Sequence, residues 1–380
     1  MQTPLPLRAA CLAVSAGLVL TGLALTGTAL GDTPVATPQN AVGGALLATR
    51  ATVVSPGSPP LPVTEASGWL VADLDTGAVL AAKDPHGRYA PASTLKTLTA
   101  QTLLSRLDPR RSVHPTFNDV NVDGTRAGLV EKLAYPVPDL FRAMLVASAN
   151  DAADTLASAN GGMVRTARQM NAEALRLQAK DTHAVNVNGL DAVGQTSSPY
   201  DLALIARAAM KNPAFRAYVA TRHTWIAAPG GKRIALSSHD KLLYNYPGAI
   251  GIKNGYTVHA RASFVGAATR GGHTLVVVLM HTAPRYWPQA RDLLDWGFAA
   301  TRLGVAPVGQ LVEPIDPNAV VPAAPANLTV AARAVPQQTG TVDGPPLLAG
   351  SVVGAGVLAV VGGVLRQRRR GRRRLTLPRP

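Results

Sequence analysis

Proline-rich stretches at both ends limit how much of this 380-residue chain can pack. Each proline fixes φ and removes an N–H donor, so neither helix nor sheet ladder runs easily through such a stretch. Residues 305–345 carry Pro every few positions. Residues 32–62 are rich in Pro, Ala, Gly and Thr, without sustained periodicity. Both read as extended linkers, the second as a stalk. That leaves residues 63–304 for one body large enough to bury a sizeable core.

Outside the linkers lie two apolar runs. Residues 1–31 begin MQTPLPLR, continue apolar, and end in small residues (Ala29, Gly31) before Asp32. That order fits a secretory signal peptide; an uncleaved anchor is the alternative for so long a run. The chain's one cysteine, Cys11, falls inside it, so a mature chain would need no redox chemistry. Residues 347–365 contain no charge. Nineteen residues at 1.5 Å each span roughly 28 Å, close to the ~30 Å hydrocarbon core of a bilayer. The RQRRRGRRR that follows matches the positive-inside bias. The expectation is a single-pass protein of the cell membrane, its body outward and residues 366–380 a cytoplasmic tail.

A net charge of +15 suggests nucleic acid at first sight. Residues 366–379 hold eight arginines and no acid, and Arg8 adds a ninth, so residues 32–345 carry only about +6. The charge is mostly a tail beside an apolar segment. Attraction to anionic lipid explains it, and no nucleic-acid partner is expected.

Within the body, Gly68–Asp73 and Ala78–Ala82 flank a turn and read as a hairpin. ASTLKTLTAQTLLSRL, Leu140–Ala147, Asp151–Ser158, Met163–Leu177 and Asp201–Met210 have helical spacing. Ala262–Thr269 and His273–Met280 are β-like and meet at Arg-Gly-Gly, and Arg291–Thr301 closes with a helix. Strands come first and last, with a helical block between them. The fold class expected is mixed α/β, in the α+β sense: one antiparallel sheet with helices packed on it.

Three short patterns occur in order: Ser93-Thr-Leu-Lys96, Ser148-Ala-Asn150 and Lys253-Asn-Gly255. A serine hydroxyl is a weak nucleophile and needs a base. Positions i and i+3 share a helix face, so the Lys96 amine can reach the Ser93 hydroxyl. Lysine is a base only when unprotonated, and burial or a neighbouring cation lowers its pKa. Lys253, brought in from a late strand, is a candidate for that cation. The chain also holds decoys, Ser238-His-Asp-Lys241 and Ser158-Ala-Asn160. Ser93 follows Pro91 and opens an apolar-periodic helix, whereas Ser238 has no such context and Ser158 precedes a helix end at Asn160-Gly-Gly.

The three patterns resemble the S-x-x-K, S-x-N and K-T-G signature of penicillin-binding proteins and class A β-lactamases. The surrounding phrases YAPASTLKTLTA, AMLVASANDAADTLA, VNGL, SPYDLALIARA, YPGAIGIKNGYT and SFVGAATR look like the D-alanyl-D-alanine carboxypeptidases among the small penicillin-binding proteins. The resemblance implies a transpeptidase-like fold with an all-helical insertion. It implies that Ser93 attacks the substrate carbonyl, Lys96 takes its proton and Ser148 relays a proton to the leaving amine. It implies that Asn150 holds the substrate amide and Lys253 the substrate carboxylate. Backbone N–H groups of Ser93 and Tyr256 would form the oxyanion hole, Gly255 would permit close approach, and Thr257 would be a further carboxylate ligand. The implied partners are a peptidoglycan stem peptide ending in D-Ala-D-Ala, β-lactams and the cell membrane.

Asn254 stands where the signature has Thr, which bears on the hydrogen bonds to the substrate carboxylate rather than on charge. No cofactor and no metal are assigned, since His114, His183, His223, His239, His259 and His273 show no metal-ligand spacing. Two other functions are compatible with the patterns. A β-lactamase would need an acid to position water, and Glu173 is the nearest candidate. A penicillin-sensing or wall-binding module would need no turnover, although the short tail leaves little room for a signalling domain.

Overall fold

The computed structural model describes residues 41–316. In chain order the strands are β1 (Thr52–Val54), β2 (Gly68–Asp73), β3 (Ala78–Lys83), β4 (Ser112–Val113), β5 (Tyr135–Pro136), β6 (His223–Ala227), β7 (Arg233–Ser237), β8 (Ala249–Thr257), β9 (Arg261–Arg270), β10 (His273–Thr282) and β11 (Gly309–Gln310). The α-helices are α1 (Lys96–Leu103), α2 (Phe117–Val120), α3 (Val137–Val146), α4 (Asn150–Ala159), α5 (Met163–Arg176), α6 (Pro199–Met210), α7 (Pro213–Val219), α8 (Leu242–Asn245) and α9 (Trp287–Arg302).

One antiparallel sheet runs in the order β1-β3-β2-β10-β9-β8, with β11 sharing the outer edge of β3 with β1. The strands from the two ends of the body therefore meet at the β2–β10 pair, with Val277 opposite Val71. Strand β10 reads as an unbroken apolar run because both faces of the sheet are covered. Side chains alternate across a strand. Val276, Val278 and Met280 pack with Leu95, Leu98 and the helices of the insertion. Leu275, Val277 and Leu279 pack with Leu293, Leu294 and Phe298 of α9 on the opposite face.

Between β3 and β8 the chain leaves the sheet and builds the helical layer. The expected all-helical insertion needs correction: it also carries two small antiparallel ladders, β4–β5 and β6–β7. The β6–β7 hairpin is mostly exposed, so its strands lack the apolar alternation that marks a half-buried strand in sequence. The short helix α7 also went unread; it starts at Asn212, whose side chain accepts the N–H groups of Ala214 and Phe215, with Pro213 at its first position.

The linker boundaries need correction too. Residues 41–62 and 305–316 belong to the body. β1 pairs with β3 (Val53 opposite Ala82), Leu47 is 0 % exposed, and Val308 and Leu311 are buried beside it. Gln310 N–H donates to Gly43 O at 2.8 Å, which ties the two segments to each other. His86 Nε2 lies 3.0 Å from Val42 O, and its Nδ1 is 2.8 Å from Asp181. A few apolar side chains spaced among Pro and Gly bury against the sheet edge without any periodicity that would announce it. Among the described residues, no helix is long and apolar enough to cross a membrane. The signal peptide expected at 1–31, the rest of the expected linker and stalk (32–40 and 317–345), the apolar run at 347–365 and the expected tail at 366–380 lie outside the described residues.

Candidate active site

Ser93 stands in a 3₁₀ turn, Ala92–Leu95, that leads directly into α1. The expected helix thus begins one turn later, at Lys96, but the i,i+3 relation survives: Lys96 Nζ lies 2.8 Å from Ser93 Oγ. The turn is pinned under the β8–β9 edge. Ser263 Oγ donates to Pro91 O at 2.6 Å. A Cβ on Gly255 would lie 2.5 Å from the Ser93 nitrogen, so only a residue without a side chain allows β8 this approach.

Lys96 is 0 % exposed. Besides Ser93, its Nζ donates to Asn150 Oδ1 and to the backbone carbonyl of Asn188, both at 2.6 Å. Burial holds the Lys96 amine well below the usual lysine range, and the positive charge of Lys253 adds to this, while Asp154 and Asp151 oppose it. Asn150 begins α4 and its Nδ2 donates to Asp123 O at 2.6 Å. An amide oxygen has two lone pairs and an amide nitrogen two protons, so each atom retains one position for a substrate amide.

Ser148 lies between α3 and α4, is buried, and takes a left-handed φ of 60°. Such backbone costs of order 1–3 kcal/mol and persists where the surroundings over-determine it. The structure draws no hydrogen bond from Ser148 Oγ to Lys96 or Ser93; its neighbour Asn150 makes that contact. Lys253 comes from β8, 2 % exposed, on the same side of the sheet as the Ser93 turn. Burial pushes its ammonium down to about 7, against the opposing charge of Asp240. Tyr256 is exposed at the rim. The Thr257 hydroxyl donates to Asp191 Oδ1 at 2.7 Å and accepts from Ala260 N–H, so it would have to leave Asp191 to meet a ligand.

The decoys fall elsewhere. Ser238 accepts from Asp240 N–H in a turn, with Lys241 exposed, and Ser158 donates to Asp119 Oδ1. Yet the first decoy holds a residue that sequence reasoning missed. Asp240 is buried, its Oδ1 accepts from Leu242 N–H at 2.9 Å, and it is the acid facing Lys253. Asn188 was also missed, although its phrase VNGL was singled out; what reaches Lys96 is its backbone oxygen, which no letter of the sequence records.

A half-buried serine on a fully buried lysine, set at the edge of an antiparallel sheet with a second lysine beside it, is the arrangement of a serine hydrolase. The comparisons agree. The family described as D-alanyl-D-alanine carboxypeptidase (Peptidase_S11) matches residues 54–283, and the chain belongs to that family. It is 42 % identical over 250 residues to the D-alanyl-D-alanine carboxypeptidase DacB2 of Mycobacterium tuberculosis, which covers 64 % of this chain and 86 % of that protein. Against DacD of Escherichia coli the identity is 33 %, over 64 % of this chain and 65 % of that one. A crystal structure of a D-alanyl-D-alanine carboxypeptidase from M. tuberculosis superposes with a TM-score of 0.64 at 40 % identity, covering 69 % of this chain and all of that one. The Streptomyces K15 DD-transpeptidase gives 0.60 at 28 % identity, over 63 % of this chain and all of that one.

Proposed function

We propose that the chain is a membrane-anchored, outward-facing D-Ala-D-Ala carboxypeptidase that trims the terminal D-Ala from peptidoglycan stem peptides through an acyl-enzyme on Ser93. The observation that carries this reading is the set of three contacts at Lys96 Nζ. A neutral amine has two N–H donors and one lone pair. As the ammonium Nζ donates to all three; once neutral, it keeps Asn150 Oδ1 and Asn188 O for its two donors, and its lone pair is left for the Ser93 hydroxyl, whose Oγ lies 2.8 Å away.

In the first step Ser93 Oγ bonds to the carbonyl carbon of the penultimate D-Ala and its proton passes to Lys96. The C–N bond to the terminal D-Ala then breaks, and the leaving amine takes a proton by way of Ser148. Lys253 binds the terminal carboxylate, and backbone N–H groups of Ser93 and Tyr256 face the developing oxyanion. Water cleaves the acyl-enzyme and returns the proton through Lys96. A β-lactam mimics the peptide and acylates the same serine.

The β-lactamase reading is weaker. Both oxygens of Glu173 are occupied, by Gln101 and by Arg176. The experiment pairs two measurements. Wild type frees D-Ala from diacetyl-Lys-D-Ala-D-Ala and holds a labelled penicillin covalently, while Ser93→Ala does neither. Label on Ser93→Ala defeats the assignment, and rapid penicillin turnover by wild type supports a β-lactamase instead. The anchoring rests on residues 347–365 and their arginine flank, and is tested by fractionating cells expressing chains with and without that run.

A further inference from the structure

Asp154 lies one helical turn after Asn150 on α4, so the two side chains share a face. It is 8 % exposed, and its Oδ1 accepts from Asn188 Nδ2 at 2.9 Å. Asn188 is 3 % exposed, and its own Oδ1 accepts from Leu190 N–H at 3.0 Å. Both ends of that amide are therefore fixed. The backbone oxygen of the same residue faces Lys96 Nζ at 2.6 Å and Ser93 Oγ at 3.4 Å. The next residue, Gly189, has φ +86°, and a Cβ there would fall 2.0 Å from Ala92 O. The loop is thus pressed against the nucleophile's turn on one side and held by Asp154 on the other.

We infer that Asp154 is a positioning residue for acylation: through Asn188 it fixes the carbonyl that aims Lys96 Nζ at Ser93 Oγ. The inference rests on the reading of Lys96 as the base. The charged groups facing Lys96 are Lys253 from β8 and Asp154 and Asp151 from α4. Those facing Asp154 are Lys96, Asp119 from α2 and Asp151. Asp151 is held by the N–H groups of Ala127, Gly128, Leu129 and Ala152. Burial pushes Asp154 up to about 6, against the pull of Asn188, so its charge is present at neutral pH.

The test is kcat/KM for D-Ala release from diacetyl-Lys-D-Ala-D-Ala, followed across pH with the full chain. Asp154→Ala frees Asn188 and lowers kcat/KM by up to ~10²-fold, since small displacements of a reacting group have effects of that size. Asp154→Asn keeps an acceptor for Asn188 and recovers most of that loss. It also removes a negative charge that favours the ammonium, so the acidic limb moves to lower pH by about one unit. The double variant Asp154→Ala, Asn188→Ala loses no more than either single one, because both break one contact.

Wild-type rates and an unmoved acidic limb in both Asp154 variants overturn the inference. So do additive losses in the double variant. Should Asp154→Ala not fold, Asn188→Ala, which breaks the same contact, decides in its place. Lys96→Ala, measured alongside, separates the two levels. An active Lys96→Ala, or a wild type that frees no D-Ala, defeats the reading of the site and this inference with it. An inactive Lys96→Ala beside unaffected Asp154 variants defeats the inference only.

Discussion

Gly255 and Ser93, 162 positions apart in sequence, approach until a single methyl group on the glycine would sit 2.5 Å from the serine's backbone nitrogen. The same methyl would lie 2.9 Å from Ala92 Cβ and 3.0 Å from Ser263 Oγ. Gly255→Ala must therefore part β8 from the turn that carries the nucleophile. The expected result is a fall of about 10²-fold in kcat/KM with the fold retained. Steady-state rates beside a far-UV spectrum check it, and an alanine variant of normal activity would show that this contact does not position Ser93.

The two lysines give the reaction two pH limbs. The proposed base, Lys96, must be unprotonated to act, and burial together with the charge of Lys253 lowers its pKa and so favours that form. In the proposed role Lys253 would bind the substrate carboxylate as the ammonium, which it begins to lose as pH rises through about 7. KM for a peptide with a free C-terminal carboxylate should rise on the alkaline side, while an amidated analogue shows no such rise. Parallel profiles for the two peptides would remove the carboxylate role from Lys253.

Lys253 also predicts a trade between activity and stability. Its folded pKa is depressed, so between about 7 and the ordinary lysine value the unfolded chain binds more protons than the native one. Its destabilising effect is complete below about 7 and fades as pH rises toward that ordinary value. Replacing both partners, Lys253→Met with Asp240→Asn, keeps the volume and removes the two buried charges together, so that neither is left uncompensated. It should abolish peptide turnover while raising stability by about 1–2 kcal/mol at neutral pH, or ~2–6 °C in Tm. Thermal melts on either side of pH 7 read this directly; a lower Tm for the variant would contradict it.

Leu47 tests the corrected boundary of the body. It is fully buried with Val308 and Leu311, although it precedes the first residue a composition argument would assign to the core. Leu47→Ala should cost ~2–4 kcal/mol, as for other buried leucines, with kcat of the folded protein unaffected. Denaturant titration of the full chain measures the cost. A loss within error of zero would return residues 41–62 to the linker.

What could be read from the letters was local or periodic. The β2–β3 hairpin, the β9–β10 pair around Arg270-Gly-Gly and most helices of the insertion came from spacing alone. The Ser93–Lys96 pair came from i,i+3 geometry. The rest depended on groups that sequence does not display. The Asn188 carbonyl belongs to the backbone, and Asp154 matters only because the chain folds Asn188 onto it from 34 positions away. Asp240 stayed hidden inside a misleading Ser-x-x-Lys pattern. The end segments were misassigned because one leucine among prolines and glycines has no period to detect.

The Gly43–Gln310 hydrogen bond, with β1 and β11 side by side on β3, places both ends of the body at the sheet margin farthest from β8. Load applied to the chain beyond residue 316 would first meet the contacts of Glu313 with Arg207 and of Ile315 N–H with Arg176 O, and only then β11 at that margin. Five strand-to-strand junctions, from β1 to β8, separate that margin from the one that supports Ser93. Tension applied from that side should fray the far border before it disturbs the chemistry.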